Sequence, residues 1–317
     1  MFSKFFKGSS SHGFPLTLAA GAALTMVGLS TAASGNILVT NAGGSTIGEY
    51  TNSGVPVDTS FVSGLNQPTG IILSGPNLFV SNRAGGNVGE YNASTAATVK
   101  ANLVTGLSNN NGPYGVLVSG SDLFVATYSA GTIGEYDAST GAAIHTSLVP
   151  TGLVNPSGLA LVGSNLLVAN MNGTSGTVGE YNLTTNTYST LIGTGLNNPF
   201  GLAVSGSNLF VSNYSAGTIG EYDASTGTAI SPTLISDTNG PAGLALLGSD
   251  LLVANYNNGT ISEYNASTGA LVHAALVSGL TNADFIAVTS SVPEPASLGL
   301  LAVGGLGLLL LGKRRHA

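Results

Sequence analysis

The segment from Pro199 to Gly227, PFGLAVSGSNLFVSNYSAGTIGEYDASTG, contains the pattern that decides the fold. Looser copies recur along the chain. The motif T-[IV]-[GS]-E-Y, loosely kept, ends at six tyrosines spaced 41, 45, 45, 41 and 42 residues apart: Tyr50, Tyr91, Tyr136, Tyr181, Tyr222 and Tyr264. Each copy holds four short apolar stretches separated by Gly, Ser, Asn and Asp, which favour turns. Four strands in ~40–45 residues are typical of a β-propeller blade. The sequence therefore predicts an all-β propeller.

The two ends of the repeat region are incomplete in complementary ways. The stretch from Asn36 to Thr40 matches the second strand of the repeat, and the stretch from Asp284 to Val288 matches the first. Together they complete one blade, which predicts a six-bladed ring closed by strands from both termini and no long open sheet edge. Over residues 36–289 the repeat resembles the NHL and related lactonase-like propeller repeats. That resemblance implies a fold only, because those families include enzymes and interaction modules.

The first 34 residues have the organisation of a secretory signal peptide. Lys4 and Lys7 precede an apolar run from Phe14 to Leu29, and small residues follow as far as Ser34. This order predicts a signal peptide helix over residues 1–34, with cleavage after Ala33. The alternative is a permanent membrane helix, for which the apolar run is short of the ~20 residues needed. Residues 35–291 are then the propeller.

The C-terminal segment, residues 292–317, has three features in a fixed order. Pro293, Glu294 and Pro295 precede an uncharged apolar run over residues 297–311, and a basic cluster follows it. The run predicts a short transmembrane helix whose basic end stays on the cytoplasmic side. The segment resembles the PEP-CTERM sorting signal of Gram-negative bacteria. An ordinary C-terminal anchor is the alternative.

The resemblance to this sorting signal implies a route through the cell. It implies processing near Pro293-Glu294-Pro295 by an exosortase-type membrane enzyme. It also implies inner-membrane anchoring through the C-terminal helix before processing. Delivery to the cell envelope, the outer surface or the extracellular space, often alongside exopolysaccharide, would follow.

Charge and composition exclude several classes of function. Residues 35–291 contain two basic side chains, Arg83 and Lys100, against thirteen acidic ones. Nucleic acid binding is disfavoured, because no basic stripe is present to displace counterions from phosphates. The chain has no Cys, which removes thiolate metal sites and thiol nucleophiles. No cofactor is predicted.

The titratable residues of the repeat region do not form a visible catalytic set. His145 and His273 fall three blades apart, so they are predicted not to share a metal. The six glutamates of the repeat occupy one equivalent position each, dispersed around the ring, and we expect each to accept hydrogen bonds from backbone or hydroxyl donors rather than bind a cation. The Asp-Ala-Ser-Thr-Gly stretches lack the ligand spacing of a calcium loop and predict capped tight turns.

One face of the predicted ring carries the candidate binding residues. Loops that join the second strand to the third, and the fourth to the next blade, emerge on the same face around the central opening. On that face lie four amides and five aromatic rings: Asn82, Asn170, Asn213, Asn255, Tyr114, Tyr128, Phe200, Tyr214 and Tyr256. Rings beside amides suit a neutral hydroxylated ligand such as a polysaccharide. Alternatively, the asparagines end strands and the rings fill gaps between blades.

Two acidic residues fall on this same face in adjacent blades. Asp237 and Asp284 are therefore a candidate for a weak divalent cation site. The sequence as a whole favours an exported, non-catalytic binding or structural module of the envelope or extracellular matrix, associated with exopolysaccharide. The alternative is a propeller enzyme of the lactonase or lyase type that uses the weak metal site.

Overall fold

Six four-stranded antiparallel sheets make up the computed structural model of this chain, which describes residues 35–107, 112–149, 152–236 and 239–289. The predicted all-β, six-bladed propeller is confirmed. In these ranges the only helical element is a 3-10 turn, Gly173–Ser175. The predicted signal peptide helix and C-terminal helix lie outside the described residues.

The strands of each blade follow one another from the inner edge of the sheet to the outer edge. Blade 1 contains β24 (Ala283–Val288), β1 (Ile37–Asn41), β2 (Thr46–Tyr50) and β3 (Pro56–Val62). Blade 2 contains β4 (Pro68–Ser74), β5 (Asn77–Asn82), β6 (Asn87–Asn92) and β7 (Thr98–Val104). Blade 3 contains β8 (Pro113–Ser119), β9 (Asp122–Thr127), β10 (Thr132–Asp137) and β11 (Ala143–His145).

Blades 4 to 6 repeat the same order. Blade 4 contains β12 (Pro156–Val162), β13 (Asn165–Asn170), β14 (Gly176–Asn182) and β15 (Thr187–Leu196). Blade 5 contains β16 (Pro199–Ser205), β17 (Asn208–Asn213), β18 (Thr218–Asp223) and β19 (Ala229–Ser236). Blade 6 contains β20 (Pro241–Leu247), β21 (Asp250–Asn255), β22 (Thr260–Asn265) and β23 (Leu271–Val277).

The first strands of the blades form the inner wall of the ring. They contact one another in the order β24, β4, β8, β12, β16 and β20, and β20 contacts β24 again. The ring is therefore closed, and every blade has two neighbours.

The hydrophobic core is divided into six clusters, one between each pair of adjacent blades. The second strand of blade 5 shows why. Leu209 and Val211 pack against blade 4, while Phe210, between them in sequence, packs against blade 6. Successive side chains of a strand point to opposite faces, so a continuous apolar run is what a sheet with two covered faces requires.

The Gly-Glu-Tyr portion of the repeat is explained by a contact within one strand. A side chain at Gly220 would come within 2.7 Å of the Tyr222 ring. Residues two apart on a strand share a face, so the ring lies over the glycine, and the same relation holds for Gly89 and Tyr91. In blade 4 the side chain over the equivalent glycine comes instead from Tyr188 of the outer strand. The glycine makes room for a buried tyrosine between blades.

The Asp-Ala-Ser-Thr-Gly turns are closed by their first residue, as the sequence predicts. In blade 5, Asp223 Oδ1 accepts hydrogen bonds from the backbone N–H and hydroxyl groups of Ser225 and Thr226. These donors, led by the Ser225 hydroxyl, lower the pKa of Asp223 to about 2. Gly227 then adopts a positive φ of 68°, which a residue without Cβ does at little cost.

The predicted closure by both ends of the propeller is confirmed. Strand β24 pairs antiparallel with β1, with Ile286 opposite Val39. The Thr40 hydroxyl accepts a hydrogen bond from the Phe285 N–H at 2.8 Å and donates one to the Phe285 carbonyl at 3.2 Å. Blade 1 thus joins residues about 245 positions apart in sequence.

Weakening the closing strand should destabilise the whole ring. Ile286 is 6% exposed and packs between blades 6 and 1, so Ile286→Ala is expected to lower the free energy of unfolding by about 2–5 kcal/mol. The matched control is Ile230→Ala, because Ile230 lies on an outer strand and is 55% exposed; its expected effect is within about 0.5 kcal/mol. Urea unfolding followed by circular dichroism measures both. Equal effects of the two substitutions would contradict this account of closure.

Candidate ligand-binding face

A cavity of about 180 Å³ lies where all six blades meet. Every blade contributes at least one side chain to its lining: Arg83, Tyr114, Met171, Phe200, Tyr214, Tyr256 and Asp284. A site shared by every blade of a closed ring lies on the ring axis. We call it the axial cavity.

Two positions of the repeat supply this lining. The first follows the second strand of each blade and holds Ala42, Arg83, Tyr128, Met171, Tyr214 and Tyr256. The second is the second residue of the inner strand and holds, from blade 1 to blade 6, Asp284, Thr69, Tyr114, Ser157, Phe200 and Ala242. Around the ring, the three residues of this second position that line the cavity alternate with three that are absent from its lining, Thr69, Ser157 and Ala242.

The small residues of the second position are buried and hold neighbouring blades together. Thr69 Oγ1 donates a hydrogen bond to the Pro113 carbonyl at 3.0 Å. Ser157 Oγ contacts the carbonyl oxygen of Phe200 at 3.1 Å. These hydroxyls link the inner strand of blade 2 to that of blade 3, and the inner strand of blade 4 to that of blade 5.

The five predicted aromatic side chains are brought together by the structure. The Tyr114 and Tyr128 rings stack with centroids 4.7 Å apart, and Phe200 meets Tyr114 edge-on at 5.9 Å. Phe200 and Tyr214 are 6.2 Å apart, and the Tyr214 and Tyr256 rings meet edge-on at 6.0 Å. These distances and angles are those at which aromatic pairs attract.

A sixth ring, Phe285, was not among the predicted site residues. It occupies the position where the other five blades have glycine: Gly70, Gly115, Gly158, Gly201 and Gly243. Its centroid lies 5.3 Å from that of Phe200, two blades away. Phe285 therefore extends toward the ring axis and packs against the aromatic cluster. The departure from Pro-x-Gly in the last copy of the repeat is the sequence signal for it.

The four predicted asparagines are buried at the ends of the second strands and do not line the axial cavity. Asn82 Oδ1 accepts a hydrogen bond from the Asn66 N–H, and Asn213 Oδ1 accepts one from the Asn197 N–H. The amide groups of the other two donate to hydroxyls of their own blades: Asn170 to Thr177 and Tyr188, and Asn255 to Thr260 and Ser262. The asparagines hold the strand ends and the loops beside them.

Arg83 lines the cavity but was not among the predicted site residues. Its Nη1 donates a hydrogen bond to the Tyr114 hydroxyl at 2.7 Å, and its Nη2 and Nε donate to Gln67 Oε1 at 2.8 and 3.3 Å. Arg83 occupies the repeat position that carries tyrosine in three other blades. Its alignment with these tyrosines in the repeat could have identified Arg83 as a site residue.

Asp284 is the most strongly perturbed group of the cavity. Its side chain lines the cavity although the residue is only 1% exposed, and Oδ1 has no hydrogen-bond partner. Burial raises the pKa of Asp284 to about 7, against the opposing effect of the positive charge on Arg83. Asp237, its predicted partner in a cation site, lies outside the described residues.

The other titratable side chains of the described ranges lie elsewhere. His145 Nδ1 contacts Glu135 at 2.6 Å, and His273 Nδ1 contacts Glu263 at 2.6 Å. Within the described ranges no three His, Cys, Asp or Glu residues are grouped so that they could hold a metal ion.

The repeat glutamates have different partners from those expected. Imidazoles contact two of them, and side-chain amides donate to others, as Asn208 does to Glu221 at 2.7 Å. In blade 2, Glu90 Oε2 is buried without a hydrogen-bond partner. We expected backbone or hydroxyl donors for these carboxylates, whereas the structure places side-chain amides and imidazoles beside them.

The raised pKa of Asp284 makes stability depend on pH in a defined direction. The folded protein holds this proton more tightly than the unfolded chain, whose Asp has a pKa of 3.8. Asp284 therefore contributes stability below about pH 4 that is lost as pH rises through about 7. We expect Asp284→Asn to gain stability relative to the natural protein between about pH 5 and 8, on the order of 1–4 kcal/mol.

Urea unfolding at several pH values measures this difference. Asp250→Asn is the matched control, because Asp250 begins β21 and lies at the opposite end of that strand from the cavity-facing loop. Parallel stability curves for the natural protein and Asp284→Asn would show that Asp284 does not titrate in this way.

Comparisons with known proteins bear on the fold and on one terminal segment. The PEP-CTERM protein-sorting motif matches residues 291–315. The solved structures that match include one titled as a nidogen/laminin complex, with a TM-score of 0.68, 13% identity, and coverage of 81% of this chain and 99% of that chain. A comparison with curated proteins found no match.

A second solved structure matches less closely. It is the computationally designed Ika8 protein, with a TM-score of 0.50, 14% identity, and coverage of 81% of this chain and 78% of that chain. At these identities the two structures support the propeller fold alone. The sorting motif implies export of the chain and processing by an exosortase, a membrane enzyme. Among the described residues, no helix is long and apolar enough to cross a membrane.

Proposed function

We propose that this chain, a six-bladed propeller with a PEP-CTERM sorting motif, is a non-catalytic binding module of the cell envelope or extracellular matrix. Its ligand is a carbohydrate, with exopolysaccharide as the expected source. The propeller presents the axial cavity and its aromatic rim to the ligand. The sorting segment delivers the propeller to the surface where such polymers occur.

The observation that carries this proposal is the composition of the axial cavity. Aromatic rings from blades 3, 5 and 6 surround it, together with one arginine and one aspartic acid. Sugar rings present apolar C–H faces and hydroxyl edges, so they bind to aromatic surfaces flanked by a few polar groups. Tyr128, Tyr214 and Tyr256 are partly exposed and form the accessible rim.

The asparagines contribute to this function by positioning rather than by contact. Each fixes the end of a second strand or the loop beside it, and the rim tyrosines follow directly in sequence. We therefore place ligand contact on the rings, Arg83 and Asp284, and assign Asn82, Asn170, Asn213 and Asn255 to the support of the loops.

The rival proposal is a lactonase- or lyase-type enzyme with a weak metal site at Asp237 and Asp284. Such chemistry needs several carboxylates or imidazoles converging on one point. Among the residues that the structure describes, Asp284 is the single acid in the cavity lining, which favours the binding module.

Removing the aromatic rings of the rim should weaken carbohydrate binding without unfolding the propeller. We expect a Tyr128/Tyr214/Tyr256→Ala triple variant to lose at least about tenfold in affinity for purified host exopolysaccharide, because each stacked ring contributes on the order of 1 kcal/mol. Pull-down and calorimetry measure the loss. The matched control is Ile144/Ile230/Val272→Ala, three exposed apolar residues of outer strands. Unchanged binding by the tyrosine variant would remove the carbohydrate proposal.

The sorting segment should control where the propeller resides. We expect alanine at Pro293, Glu294 and Pro295 to block C-terminal processing and hold the full-length chain in the inner membrane. Deletion of residues 292–317 is expected to release the propeller without envelope retention. Fractionation of host cells with immunoblotting measures both outcomes, with Ile230→Ala as the control. Identical fractionation of all variants would contradict the assigned role.

A further inference from the structure

Asp284 gives the axial cavity a preference for ligands that carry a hydrogen-bond donor, which the aromatic rings alone would not provide. Its Oδ1 is buried without a hydrogen-bond partner. A buried polar atom in this state is costly unless a donor reaches it. A ligand that brings a donor into the cavity therefore recovers free energy that the empty protein lacks.

The net charge of the propeller favours a cationic donor. The propeller segment has two basic side chains against thirteen acidic ones, so its overall field attracts cations. One of the two basic side chains, Arg83, lines the cavity with Asp284 and opposes this attraction locally. An acidic sugar would meet the opposite conditions. Three N–H groups of Arg83 already donate to Tyr114 and Gln67, and a carboxylate would be repelled by ionised Asp284.

The size of the cavity limits the ligand portion that enters it. Pockets that enclose drug-sized ligands have volumes of ~300–1,000 Å³, whereas the axial cavity has about 180 Å³. One monosaccharide unit is the appropriate occupant, and the rest of a chain would extend over the tyrosine rim. The terminal sugar is therefore the unit that is recognised.

We propose that the axial cavity selects a sugar unit with a free, protonated amino group, whose ammonium donates to Asp284 while the aromatic side chains enclose the ring. This inference rests on the proposed carbohydrate-binding function and narrows its substrate class. Phe200 and Tyr256 supply the apolar walls, and the N–H groups of Arg83 that do not donate to Tyr114 or Gln67 can donate to sugar hydroxyl oxygens.

The proposal includes a dependence on pH. The groups that face Asp284 across the cavity are Arg83, Tyr114, Tyr214 and Tyr256. Burial raises the pKa of each of these three tyrosines, so near neutral pH they stay uncharged and Asp284 is the acid that titrates. Ionisation of Asp284 strengthens its attraction for an ammonium group, so affinity for the amino sugar rises above about pH 5 for as long as the amino group keeps its proton. Affinity for a neutral sugar lacks this rise.

Calorimetry with three tetrasaccharides tests the proposal: the β-1,4-linked oligomers of glucosamine, N-acetylglucosamine and glucose. At about pH 7 we expect the natural, processed protein to bind the glucosamine oligomer at least about tenfold more tightly than the other two. Asp284→Asn should remove this preference, so that the glucosamine oligomer binds no more tightly than the two neutral oligomers. Asp250→Asn is the matched control and should retain the preference.

The outcomes separate this inference from the function on which it rests. Equal binding of all three oligomers, or preference for a neutral one, overturns the selection of amino sugars and leaves carbohydrate binding in place. No binding of any oligomer also overturns the inference, and the exopolysaccharide assay with the tyrosine variant then decides the proposed function separately. If Asp284→Asn does not fold, two measurements on the natural protein test the inference: its preference for the glucosamine oligomer over the other two, and the rise of that preference with pH.

Discussion

The burial of both faces of every blade is the constraint on which this structure depends. A four-stranded sheet with apolar residues on both sides has no stable state by itself, because each face needs a partner. In an open row of such sheets, the first and last blades would each leave one face exposed. The contact between β20 and β24, and the pairing of β24 with β1, remove that exposure. Closure thus completes the core between blades 6 and 1 as well as the sheet of blade 1.

The same constraint limits which side chains the inner strands can carry near the ring axis. Six inner strands approach one another closely, and a Cβ at Gly201 would come within 2.3 Å of the Ala242 carbonyl oxygen. Five blades therefore have glycine at this position. Blade 1 has Phe285, and its ring extends toward Phe200. The closing strand, which is the most divergent copy of the first strand, accordingly supplies both the ring that extends toward the axis and the buried acid beside it.

Much of this architecture could be predicted from the sequence because it follows from periodic features. The tyrosine spacing indicates the number of blades, and the complementary ends indicate the closure. The aromatic residues could be placed on one face because the order of the strands in a propeller blade determines on which face each loop emerges. The partners of Glu135 and Glu263 could not be predicted in the same way. Each lies opposite a histidine, and the register shifts directly after each pair, so spacing along the chain does not reveal which side chains meet.

The site residues that were hardest to predict are those that differ from the consensus of the repeat. From the sequence, Arg83 was considered only as one of the basic residues. The asparagines were proposed as ligand-binding residues because they carry amide groups, but their hydrogen bonds are made within the protein. A repeat with six identical copies would create a cavity with sixfold symmetry, which offers an asymmetric ligand six equivalent and equally weak orientations. Specific recognition therefore requires residues that break the symmetry.

Here the residues that break the symmetry are Arg83, Met171 and the pair Asp284 and Phe285. Asp284 also carries a cost, since an ionised carboxyl without a hydrogen-bond partner on Oδ1 destabilises the buried wall in which it stands. A purely structural position would be filled more favourably by the alanine or threonine of neighbouring blades. The presence of an acid in the most constrained part of the ring is consistent with a role in binding, where a ligand supplies the missing partner.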